Sequence, residues 1–234
     1  TKNVANYQDL IEFVTAYGAT YNPSKNSLKL AELITLKTSA ENSLSDVITK
    51  NTLYNNKVNE RISAFNGLKS LSTRLINALQ TTDATPETVN NAKTFNRKMQ
   101  GKKASESQPQ TDPNATAPNT ISTSQQSYDQ LIQHLSGLKS VLETEPSYVP
   151  NETDLQVATI EAKITELTDK NTAVATAYAN ISNSRISRNE VLYTNSTALV
   201  ETANEVKKYI KSVFGATSPQ FAQVKGIEFT KPRI

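Results

Sequence analysis

The chain has 234 residues, 36% of them hydrophobic and 20% charged, and a net charge of +3, enough length and apolar content for one large domain or two small ones. No run reaches the ~18 apolar residues that a membrane-spanning helix requires. Cysteine is absent and His134 is the single histidine, which excludes disulfide scaffolds, thiol nucleophiles and zinc, haem or iron–sulfur sites built on Cys and His; no cofactor is expected.

A mean hydropathy of −0.50 and a pI near 8.9 describe a polar, mildly basic chain, far from the concentrated cationic excess of a dedicated nucleic-acid binder. Asn, Ser and Thr together make up about a third of it, against the Leu-, Ala- and Gly-richer average. That composition leaves the compartment open between the cytoplasm and export with a leader removed.

In chain order, YQDLIEF from Tyr7 opens an apolar helical pattern and is echoed by YDQLIQH from Tyr128. Next come YNPSKNSLKLAEL from Tyr21 and YVPNETDLQVATI from Tyr148, aligning without gaps at an offset of 127 (148 − 21) and sharing Tyr, Pro, Leu and Ala. Self-similarity of this kind is the mark of a duplicated unit. A long helical stripe then follows in each half: Leu33, Ala40, Leu44, Val47, Tyr54, Val58, Ile62 and Phe65, and Val157, Ile160, Ile164, Leu167, Val174, Tyr178, Ile181 and Leu192. Neither stretch contains Gly or Pro, so each predicts one helix of about 38 residues, roughly 57 Å long. Such stripes must find another stripe to bury against, as in a bundle wall or coiled-coil hairpin. Asn51, Asn171, Arg185 and Arg188 fall on or near the seam, where polar residues fix register. Breaks near Asn55–Asn56 and Asn183, giving shorter antiparallel helices, are the alternative.

Asn66-Gly67 reads as a turn, and Thr194 to Thr197 reads as an N-cap cluster. A third helix follows in each half, through Leu68, Leu71, Leu75 and Leu79, and through Leu199, Ala203, Val206, Ile210 and Val213 before Gly215 as a C-cap signal. Thr85-Pro86 and Ser218-Pro219 each place a capping hydroxyl before a first-turn proline, predicting a short closing helical turn. GIEFTKPRI at the end alternates like a short strand or an extended arm suited to a neighbouring subunit. Between the halves, Gly101 to Gln126 carries three of the nine prolines and almost no large apolar residue, which reads as a linker. The expected organisation is a first helical repeat over 1–100, a linker over 101–126 and a second repeat with a basic tail over 127–234, the two repeats sharing one core. The expected fold is all-α, an elongated helical bundle of two similar repeats.

The motifs of phosphate-binding loops, zinc proteases, EF-hands and nucleophile elbows do not occur. His134 lies in a helical pattern, where a helical histidine outweighs a general base. Glu32, Asp46, Glu60, Glu161, Glu166, Glu201 and Glu205 sit where a helix presents them to solvent, so a catalytic carboxylate pair is not expected. Four N-x-[ST] triplets, at Asn114, Asn151, Asn180 and Asn195, match what this composition produces by chance. No catalytic or metal-binding residue is assigned, and the chain is read as a non-enzyme.

The densest basic region is EVKKYIKSVFG. Lys207, Lys208 and Lys211 surround Tyr209, followed by Lys225, Phe229, Lys231 and Arg233. Read functionally, cations interleaved with Tyr209, Phe214, Phe221 and Phe229 would grip phosphates while the rings stack on bases. Read structurally, Ile210, Val213 and Phe214 are a buried stripe with the lysines as its solvated face. Arg97, Lys98, Lys102 and Lys103 form a similar cluster at the end of the first half.

Through SRISRNEVLY and VKKYIKSVFGATSPQF, residues 184–221 resemble a family of uncharacterised bacterial helical proteins. Arg188, Asn189, Leu192, Tyr193, Val206, Lys207, Tyr209, Lys211, Phe214, Gly215, Ser218 and Pro219 carry the resemblance; the first half, with LINALQTTDATPE, departs from it. The resemblance implies a folded bacterial helical protein and no reaction. The sequence reading is therefore a binding or assembly protein with a protein partner or self-assembly. Binding of nucleic acid or an anionic surface through the basic helix and tail is the alternative.

Overall fold

In a computed structural model, residues 1–101 and 126–232 are described. Among them every regular element is a helix: α1 (Lys2–Ala16), α2 (Leu30–Phe65), α3 (Leu68–Gln80), α4 (Pro86–Gln100), α5 (Tyr128–Glu143), α6 (Val157–Asn189), α7 (Leu199–Phe214) and α8 (Pro219–Lys225). The fold is all-α. Within α2 and α6, 36 and 33 residues long, no Gly or Pro interrupts the hydrogen-bond ladder. Neither helix breaks at Asn55–Asn56 or Asn183, because an exposed Asn is a weak helix former and not a breaker.

Several local expectations hold for physical reasons. Gly67, at φ 77°, turns the chain between α2 and α3 in a conformation that Gly adopts without Cβ strain. Thr85 and Ser218 cap α4 and α8, accepting hydrogen bonds from Thr88 N at 3.3 Å and Phe221 N at 3.1 Å. Others need correction. α4 is no short turn but 15 residues, since Ala92 and Met99 give it a buried face. Residues 194–197 do not cap α7, whose N-cap is Ala198 without a side-chain bond. Thr194 closes a π-helical turn over Glu190–Thr194, and 195–197 follow it. Most of the expected linker, residues 102–125, lies outside the described residues, including Lys102, Lys103 and Asn114.

The expected division into sequential repeats with one shared core is also corrected. The chain forms two compact units, one of Thr1–Asn55 with Ala177 onward, the other of Asn56–Thr176, and each has its own core. Because nothing ends α2 or α6 midway, each helix runs on from one unit into the other, and α2 gives Leu33 and Ala40 to the first core and Ala64 to the second. The first unit buries Tyr7, Leu10 and Val14 of α1 against Leu33 and Ala40 of α2, Leu192, and Leu199, Ala203, Val206 and Ile210 of α7. In the second, Leu68, Leu75 and Leu79 of α3 pack with Ala92 and Met99 of α4, Leu135, Leu138 and Leu142 of α5, and Ile160 and Leu167 of α6.

Polar and aromatic side chains join the two long helices antiparallel within each unit. In the first, Tyr54 and Tyr178 meet at 6.0 Å between centroids and Ser184 donates to Asp46 at 2.7 Å. In the second, Asn171 accepts from Arg61 at 3.0 Å and donates to Asp129 at 2.7 Å. Glu60 there takes Lys57 at 2.8 Å and Lys170 at 2.9 Å. Hydrogen bonds from Lys57 and then Lys170 hold its carboxyl down at about 2.

Candidate functional site

α7 is strongly two-faced. Leu199, Val200, Thr202, Ala203, Val206 and Ile210 face the first core, leaving Glu201, Asn204, Lys208 and Lys211 toward solvent, as a 3.6-residue period requires. Gly215, at φ 96°, ends α7, and Ser218-Pro219 starts α8 three residues later. That short reversal lays α8 beside α7, with Val224 buried and Phe221 half-buried. The Tyr17 hydroxyl reaches Gln220 O at 3.0 Å and Gln223 Oε1 at 3.1 Å, holding α8 to the end of α1.

The two helices enclose an open groove of about 490 Å³ lined by Glu201, Asn204, Lys207, Lys208, Lys211, Phe221 and Lys225. Four lysines thus line one concavity of the size that small ligands or a peptide side chain fill. Lys211 lies 5.7 Å from the Phe221 ring centroid, a cation–π distance. Among the described residues Lys208, Lys211 and Lys225 have no carboxylate partner, whereas Lys25 pairs with Glu205, Lys139 with Glu143 and Glu161, and Lys231 with Glu201.

Lys207 is different. It is half-buried, and its Nζ donates to the carbonyls of Lys225 at 3.0 Å and Ile227 at 2.8 Å. Desolvation lowers its pKa, opposed by Glu228. Aligning the buried positions Leu68, Leu75 and Leu79 of α3 with Leu199, Val206 and Ile210 of α7 gives an offset of 131 (199 − 68). Lys207, Lys208 and Lys211 then correspond to Ile76, Asn77 and Gln80 of the second unit, and Ile76 is buried. A helix packed in this way therefore does not need lysines at these places.

The remaining sequence candidates go elsewhere. Tyr209 turns into the core, its ring edge-on to Tyr21 at 5.2 Å. Phe214 packs on Tyr17 at 5.1 Å, and Phe229 meets Tyr7 at 6.4 Å. A row of aromatics free to stack on bases is thus not assembled, because Tyr209 lies three residues beyond Val206 on the buried stripe. Lys231 pairs with Glu201 at the groove, and Arg233 lies outside the described residues. Nor is the tail a free arm. Residues 226–232 form no strand and run as a strap over α1. Asn3 donates to Thr230 O at 2.7 Å and accepts from Thr230 N at 3.1 Å, and Asn6 donates to Glu228 O at 2.7 Å. The signal for this was available: Asn3 and Asn6 sit on α1 beside Tyr7, one turn apart.

His134 is buried on α5, and its Nε2 has no hydrogen-bond partner among the described residues. Burial, with Lys98 nearby, lowers its pKa, so the imidazole is neutral near pH 7. No carboxylate orients it and no nucleophile bonds to it among the described hydrogen bonds. No group of three or more His, Asp or Glu there is placed to hold a metal ion, and no helix of the described residues is long and apolar enough to cross a membrane.

Compared with known proteins, the chain matches no family model, no curated sequence and no solved structure. Residues 184–221 contain the π-helical turn, α7 and the start of α8, and so most of the groove.

Proposed function

We propose that this chain is a non-enzymatic, duplicated helical binding protein that docks an acidic segment of a protein partner in the lysine groove between α7 and α8. The observation that carries this reading is the convergence of Lys207, Lys208, Lys211 and Lys225 around Phe221, the first three at helix positions that are apolar or uncharged in the second unit. Lysines present point charges on flexible stems, suited to carboxylates arriving in varied geometry. Nucleic acid is the weaker reading. Glu201 lies within the groove, and Lys211 rather than an open ring face covers Phe221.

The test is fluorescence anisotropy of a labelled hexaglutamate peptide against the full chain, with an unlabelled single-stranded oligonucleotide as competitor. Saturable binding that weakens with salt and survives the oligonucleotide supports the acidic-segment reading. Displacement by oligonucleotide at lower concentration than by unlabelled peptide moves the site to nucleic acid. No peptide binding at low salt rejects the reading.

A further inference from the structure

The C-terminal strap is tied to the same groove at three points. Lys207, a groove residue, is held by the carbonyls of Lys225 and Ile227, one on each side of Gly226. Glu201, the groove's carboxylate, is paired with Lys231 of the strap. Lys225, on the rim, is the last residue of α8 before the strap leaves it. The strap's other anchors, Asn3, Asn6 and Tyr7 on α1, do not line the groove.

We infer that docking of residues 226–232 on α1 and binding of an anion in the groove are linked equilibria, the docked strap being the state that accepts the anion. This rests on the groove being the binding site proposed above. With the strap docked, Lys231 is the hydrogen-bonded partner of Glu201 and Lys208 only a weaker, more distant charge on it, which leaves the Lys208 ammonium for the ligand. With the strap released, Glu201 stands unpaired among the lysines, repelling a carboxylate and drawing Lys208 to itself. Lys207, at a position where the second unit has a buried Ile, also loses the Ile227 carbonyl, one of the two acceptors that fix its ammonium. A ligand shifts such an equilibrium only through a difference in affinity between the two states, and by reciprocity strap docking strengthens anion binding by the factor with which the anion strengthens docking. The strap is thus a built-in regulator: whatever competes for residues 226–232 or for the face of α1 lowers the groove's affinity without touching it.

The experiment uses the full chain and the labelled hexaglutamate peptide. The variant Asn3→Ala/Asn6→Ala removes the hydrogen-bonding α1 anchors and leaves the Tyr7–Phe229 contact and every groove residue in place. Linkage predicts about fivefold weaker peptide binding by this variant, and slower hydrogen exchange of the Ile227–Lys231 amides in the wild type when peptide is added. Wild-type affinity in a variant whose strap amides exchange faster overturns the linkage and leaves the binding site standing. Absence of peptide binding by the wild type overturns the site itself. Should that variant fold poorly, Lys231→Gln provides the second measurement: it weakens binding, and adding Glu201→Gln restores it. A double variant as weak as Lys231→Gln alone rejects Glu201 neutralisation as the coupling.

Discussion

Tyr21 and Tyr148, 127 residues apart in sequence (148 − 21), close the same local ring. Each hydroxyl donates to the carbonyl seven residues on, Leu28 O at 2.7 Å and Leu155 O at 2.8 Å. The segment between them ends in a 3-10 turn, Asn26–Leu28 or Thr153–Leu155, and the next residue opens extended at ψ 144° or 143° before the long helix begins. Both phenols are buried, and burial pushes that of Tyr148 up to about 12, with help from Glu152 and Asp154, so each remains a donor at neutral pH.

These latches are expected to stabilise their units separately. Tyr21→Phe removes a buried donor and leaves the Leu28 carbonyl short of a partner, at a cost of about 1–2 kcal/mol; Tyr148→Phe does the same for Leu155. Because the tyrosines belong to different cores, the double variant should lose the sum of the two within about 0.5 kcal/mol. Urea denaturation of the four proteins checks this, and strong non-additivity would show that the latches are coupled.

Much of this region was legible in the sequence. Tyr, Pro and Leu at matching offsets marked a recurring segment, though not the hydroxyl bond that each Tyr makes in it, and the uninterrupted stripes of α2 and α6 marked the long helices. Which stripe packs on which was not legible, because a periodic pattern identifies a buried face and says nothing about its partner. The two long helices were expected to pack on each other, but nothing in their stripes showed that both run on from one unit into the other. At the site, Lys207, Lys208 and Lys211 were visible as a cluster. Their meeting with Lys225 depends on the tight reversal at Gly215, and the strap's attachment depends on Asn3 and Asn6, more than 220 residues away.

Gly137 should invert the usual helix rule. Replacing a mid-helix Gly by Ala ordinarily stabilises by up to about 1 kcal/mol. On α5, however, a Cβ at Gly137 would come within 2.3 Å of the Phe95 ring. Gly137→Ala is therefore expected to destabilise by about 1–3 kcal/mol as the ring is forced from its place, and Phe95→Leu in the same chain should recover part of the loss. Thermal melts of the single and double variants decide the sign.

His134 supplies a pH signature free of other imidazoles. Its folded pKa lies below the ordinary 6.5, so between those two values the unfolded chain binds more protons than the folded one. Stability contributed by this group is intact above about pH 6.5 and falls as pH drops through the window. His134→Leu removes both the titration and the unpartnered Nε2. The variant's urea midpoint should match or exceed the wild type's at about pH 7.5, and the difference should widen in its favour at about pH 5.5. An equal fall in both proteins would place the proton uptake on carboxylates instead.

The groove lysines should separate binding from folding. Lys208, Lys211 and Lys225 are exposed and have no carboxylate partner among the described residues, so Lys208→Gln/Lys211→Gln/Lys225→Gln is expected to shift stability by no more than about 0.5 kcal/mol. Each ammonium facing an acidic ligand across a solvated groove contributes a fraction of a kcal/mol to about 1 kcal/mol, so the triple variant should bind the hexaglutamate peptide at least about tenfold more weakly, with a flatter salt dependence. Neutralising Lys69, Lys93 and Arg97, on α3 and α4 of the second unit, removes the same charge from the molecule and is the matched control. Equal weakening by both sets would mean that the peptide senses net charge alone, whereas loss confined to the first set assigns the binding to the faces of α7 and α8.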